Sequence, residues 1–86
     1  MTTAIQKMVM DSYAESIRLW SEMIDGWNER IAYDNIRIRE CRETKNEDGL
    51  EYWINERSDD YKQRNRSRRL VRKYQIKLEA MQNTMK

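Results

Sequence analysis

Histidine and proline are absent from this 86-residue chain, glycine occurs twice and cysteine once. The lack of histidine removes the side chain that most often serves as general base or transition-metal ligand near neutral pH. No glycine-rich phosphate loop and no serine at a strand-to-helix turn takes its place. Carboxylate pairs do occur, Asp25 with Glu29 one helical turn on and Asp59 next to Asp60, and such pairs can ligate magnesium or share acid–base work. A solvated helix face produces the same spacing, and nothing nearby supplies the desolvation those roles need. The expectation is a non-enzymatic protein with no catalytic residue, metal or cofactor.

With no proline and so little glycine, long helices are the default. The lone cysteine excludes an internal disulfide, and its place among apolar residues reads as a buried thiol in a reducing compartment. No stretch approaches the roughly 20 apolar residues of a membrane span, and no basic start leads into an apolar run. A cytoplasmic protein without a membrane partner is therefore expected. A chain this short buries only about 60 to 65% of its unfolded surface, a thin margin that self-association commonly relieves.

What the chain does have is a row of large apolar side chains at alternating steps of four and three: Met10, Tyr13, Ile17, Trp20, Ile24, Trp27, Ile31, Ile38 and Cys41. This is a heptad seam, interrupted only by Asp34. A stripe of that length must be covered by another helix. Thr3 and Gln6 have the spacing of a capping box, so helix 1 is expected over about 4–45. Gly26 falls inside it without a change of phase, which favours a continuous helix over a hinge. Residues 46–49 lose the apolar period and form the expected turn. Asp48 and Glu51 suggest a second capping box, with helix 2 over about 50–84. A short connection folds two long helices antiparallel, and a pivot at residues 47 and 48 pairs positions whose numbers sum to about 95.

The predicted fold is thus all-α, a single antiparallel two-helix hairpin of coiled-coil type that dimerises or assembles further into a helical bundle. Its seam is expected to use Tyr13, Ile17, Trp20, Ile24, Trp27, Ile31, Ile38, Val71, Tyr74 and Leu78. The middle of helix 2 is polar. Arg57, Arg64 and Arg68 are expected on the seam there, with Asp34 pairing to Arg57 or Arg64, or accepting from Tyr61, and Arg68 stacking on Trp27. Ser58-Asp59-Asp60 also resembles a second helix start, which would break helix 2. Met1, Met8, Met10, Met81 and Met85 would gather at the open end as plastic packing between subunits.

Charge is segregated. Asp11, Glu15, Glu22, Asp25 and Glu29 share one face of helix 1. Between Lys62 and Lys77 there are eight lysines and arginines and no acid, so the remainder of a chain whose net charge is +2 carries about −6. On a helix Lys62, Arg66, Arg69, Lys73 and Lys77 form a ridge of about 22 Å, long enough to follow several phosphates, with Gln63 and Asn65 beside it for base contacts. A plainer reading competes, because arginine stems cover apolar surface and the ridge can meet the acidic face of a neighbouring subunit. Tyr33, Ile36 and Tyr52 fall off the seam near the turn, where exposed aromatic and aliphatic groups suit protein docking.

These features predict an interaction protein that oligomerises and binds a protein partner as adaptor, regulator or inhibitor. The alternative is nucleic-acid binding through the Lys62–Lys77 ridge. A weaker one is a nucleotide or anion sponge in which arginines of adjacent subunits enclose phosphates. In architecture alone the layout is similar to dimeric helical-hairpin bundles, among them small RNA-binding regulators, adaptors and viral inhibitors, which transfers no residue roles. Compact, highly charged helical chains of this kind are common among phage accessory proteins, and such an origin is a further expectation.

Overall fold

The computed structural model describes residues 3–84. Two α-helices, α1 (Ala4–Glu43) and α2 (Glu47–Thr84), lie antiparallel in a rod of 65 × 15 × 14 Å. The start of α1 is set locally. Thr3 Oγ1 accepts from the Gln6 amide at 3.1 Å, and the Gln6 side chain accepts from the Thr3 amide at 2.9 Å, the reciprocal pair expected from the sequence. Gly26 lies within an unbroken helix, with open space around its Cα.

The turn sits earlier than residues 46–49. After Glu43 the chain makes a Schellman closure: the Lys45 amide donates to the Arg42 carbonyl at 3.3 Å and the Asn46 amide to the Cys41 carbonyl at 2.9 Å. Lys45 occupies the left-handed position this motif requires, with φ 56°. Asn46 then caps α2 in place of Asp48, its Oδ1 accepting from the Gly49 amide at 3.0 Å. Asp48 lies instead with Glu47 in the first turn of α2, where a negative charge favours the helix dipole. Gly49 permits this cap to close. A Cβ there would stand 2.6 Å from Asn46 Nδ2 and 3.0 Å from Cys41 Sγ.

The three-residue turn moves the register by about one helical turn relative to the expected pivot. Asn35 accepts from Arg57 at 2.8 Å and Asn28 from Arg64 at 3.4 Å. α2 is continuous through Ser58, Asp59 and Asp60, so no second helix start operates there. The α1 seam faces α2 as expected, but its burial is uneven. Ile31, Ile38 and Cys41 are buried at 6, 2 and 7% exposure, whereas Tyr13, Ile17, Trp20, Ile24 and Trp27 remain half-buried. Val71, Tyr74 and Leu78 answer them from α2, also half-buried.

The polar middle of α2 differs from expectation. Its seam runs through Trp53, Arg57, Asp60, Arg64, Ser67 and Val71, with Asp60 and Ser67 buried and Arg68 exposed. Arg68 therefore does not stack on Trp27; Arg30 does, with its guanidinium 5.1 Å from the ring centroid. Ile54 is exposed, and Arg64 lies over Tyr61 at 4.8 Å. Of the methionines, Met8 is 70% exposed and Met10 and Met81 are half-buried, while Met1 and Met85 lie outside the described residues.

Candidate interaction surfaces

Close to the turn, three aromatic rings and a guanidinium form one cluster. Trp53 on α2 is half-buried, and the Tyr33 and Tyr52 rings meet it edge-on at centroid distances of 5.6 and 5.0 Å. Arg37 places its guanidinium 5.3 Å from the same indole. Edge-to-face geometry suits the ring quadrupoles and holds each side chain in place. The outer surfaces stay open, with Tyr33 at 52% and Tyr52 at 56% exposure. Ile36, one turn beyond Tyr33 on α1, is half-exposed on the outer side of the helix. The fold thus brings Tyr33 and Tyr52 together from different helices, with Trp53 and Arg37 as centre and brace.

All five ridge residues, Lys62, Arg66, Arg69, Lys73 and Lys77, are exposed along α2. Its lower end is tethered: Lys77 Nζ lies 5.8 Å from both the Tyr13 and Tyr74 rings, and Lys73 Nζ lies 5.9 Å from Tyr74. Among the described residues no ion pair involves the ridge. Opposite it, the outer face of α1 carries Asp11, Glu15, Glu22, Asp25 and Glu29, all exposed. Arg18 bridges Glu15 and Glu22 there, and its hydrogen bond holds the Glu15 carboxyl below the usual range.

Between the acidic face and α2, in the half of the rod near the free ends, α1 presents a second apolar row. Ile5, Met8, Leu19 and Met23 are exposed at 74, 70, 47 and 44%, interspersed with Ser12, Ser16 and Gly26. Trp20 and Trp27 open onto shallow grooves along this row, lined by Leu19, Met23 and Gly26.

A buried cluster with perturbed acid–base chemistry lies between the helices. Asp34 and Asp60 face each other across the seam, each 3% exposed. Two carboxylates have no hydrogen to offer each other, so Oδ2 of each is buried without a donor until one takes up a proton. Burial, followed by the hydrogen bond to Asp60 and its charge, raises Asp34 to about 6. Arg30, whose Nε stands 3.6 Å from Asp60 Oδ1, pulls the other way, and Glu56 adds to the rise. Asp34 is therefore paired neither with Arg57 nor with Arg64, because those guanidinium groups reach past it to Asn35 and Asn28.

Comparison with protein-family models, curated proteins and solved structures finds no match to this chain. Function must therefore be read from these surfaces alone. Asp60, Ser67 and Arg37 escaped the sequence reading as members of the seam or its clusters, whereas Trp53 was legible as an apolar residue beside Tyr52 near the turn. A signal for the first two was present: Val71, Tyr74, Leu78 and Met81 continued backwards by threes and fours land on Ser67, Arg64, Asp60 and Arg57.

Proposed function

We propose that this chain is a non-enzymatic interaction protein that binds a protein partner as adaptor, regulator or inhibitor, and that it self-associates. The observation that carries the reading is the aromatic cluster near the turn. Trp, Tyr and Arg dominate the energetics of protein interfaces, and Trp and Tyr do so by offering large contact area at low entropic cost. Here Tyr33, Trp53, Tyr52 and Arg37 are already braced against one another with their outer surfaces in water. Preorganisation of this kind lowers the ordering cost of binding. The half-exposed seam near the free ends supports self-association.

Replacing both Tyr33 and Tyr52 by alanine leaves the seam intact and removes the outer arms of the cluster. The variant should keep its helicity by circular dichroism and lose partners that the wild-type chain captures from its own cells. Identical capture by both proteins would refute the role of the cluster. A second reading, nucleic-acid binding, is favoured by the five exposed cations of the ridge that lack an ion pair among the described residues. Affinity for duplex DNA or structured RNA should then fall steeply with salt and be lost in an Arg66→Glu, Arg69→Glu variant. No binding at low ionic strength rules it out.

A further inference from the structure

We infer that a second copy of this chain covers the apolar row on α1, with the two rods side by side, turns at the same end, and α1 of each lying on α2 of the other. This deepens the self-association proposed above and rests on it. Three observations on different side chains converge on one face.

The first is incomplete coverage. Trp20 and Ile24 occupy seam positions yet remain half-buried, and Leu19 and Met23 beside them are 47 and 44% exposed. The second is the room for a close approach. Ser12, Ser16 and Gly26 interrupt the apolar row, and an added Cβ at Gly26 would touch nothing within 4 Å. A neighbouring helix can therefore settle against the tryptophans without displacing a bulky side chain.

The third observation selects the occupant. The apolar row is bordered by acids on the α1 side and by the basic ridge on the α2 side. Because Asn28 meets Arg64 across the hairpin, Glu29 stands level with Lys62, and Glu22 level with Arg69. A two-fold axis parallel to the rods places α1 on the partner's α2, so these acids and bases come opposite each other twice. An axis across the rods would set α1 on α1, acid against acid. Only the first arrangement buries the apolar row and neutralises both flanks, giving a four-helix bundle.

The test uses the full chain and two charge-reversed variants, Glu22→Lys with Glu29→Lys, and Lys62→Glu with Arg69→Glu, with circular dichroism confirming that each stays helical. Sedimentation velocity should show wild-type dimers and weaken each variant's self-association by about tenfold or more. Mixing the two variants should restore dimers, because every reversed acid then faces a reversed base. Leu19→Ser with Met23→Ser should weaken association without rescue by either charge variant. A wild-type dimer that neither charge reversal disturbs overturns the assigned face while leaving self-association standing. A wild-type chain that stays monomeric at high concentration overturns both, and capture by the cluster near the turn is scored independently of either result.

Discussion

The half of the hairpin near the turn and the half near the free ends carry the same heptad but close it differently. Near the turn, Ile31, Ile38 and Cys41 are almost fully out of water, whereas towards the free ends Tyr13, Ile17, Trp20 and Ile24 remain half-buried. The difference lies in the residues that flank the seam. Near the turn these are Asn28, Arg30, Asn35 and Arg37, which take part in contacts that span the gap or cover the rings: Arg57 and Arg64 reach Asn35 and Asn28, and Arg30 and Arg37 cover Trp27 and Trp53. Towards the free ends the flanks are Ala14, Ser16 and Ser21, too short to shield an indole, together with Met23, which is itself 44% exposed. A two-helix seam is dry only where polar stems roof it. Where the flanks are small, the same apolar row stays open to another molecule.

This contrast can be broken most directly at two isoleucines on equivalent heptad positions. Ile38→Ala should cost about 2 to 4 kcal/mol in denaturant unfolding at low protein concentration, and Ile24→Ala about half as much, because less surface leaves water at Ile24 on folding. Equal losses would show that the two halves are packed alike.

A somewhat smaller effect is expected from the carboxyl pair, which belongs to the closed half alone. Asp34 is raised from 3.8 to about 6 in the folded chain, so the folded state holds more protons than the unfolded state across that window. Stability is therefore greatest below about pH 4 for this group and falls as pH rises towards and past 6, by about 2 to 3 kcal/mol in total. Asp34→Asn should flatten this slope and leave the hairpin more stable than wild type at pH 7. A melting temperature in Asp34→Asn that follows pH as steeply as wild type would place the titration elsewhere.

The two glycines sharpen the comparison further. Gly26→Ala, in the open half, should raise the stability of the monomeric hairpin by about 0.5 to 1 kcal/mol, since the new methyl meets nothing. Gly49→Ala should give no such gain, because its Cβ displaces the Asn46 cap. Lys45→Gly should add a gain of the same size as Gly26→Ala, about 0.5 to 1 kcal/mol, by relieving the left-handed backbone of the turn, read as a shift in the midpoint of chemical unfolding.

Much of the fold was legible because its signals are local. The Thr3–Gln6 cap and the row from Met10 to Cys41 depend on neighbours within a few residues, and both appear as read. The turn was misplaced by only a few residues, since Asn46, Asp48 and Gly49 all tolerate turn geometry and only the hydrogen-bonding pattern distinguishes them. The candidate surfaces were partly legible: the ridge is exposed throughout and Tyr33 and Tyr52 lie outside the seam, but their meeting at Trp53 requires two helices in one register.

The sequence by itself determined that this protein forms two long helices, which stripe α1 buries, and where charge of each sign collects, because helical periodicity and capping act over single turns. Only the tertiary structure decided which polar residues of α2 enter the seam, that Asp34 meets Asp60, and which half of the seam stays open. Hydropathy carries no phase through a run of arginines and aspartates, so the register there was set by a three-residue turn, and the exposure of Trp20 and Ile24 by the size of side chains on the neighbouring rows.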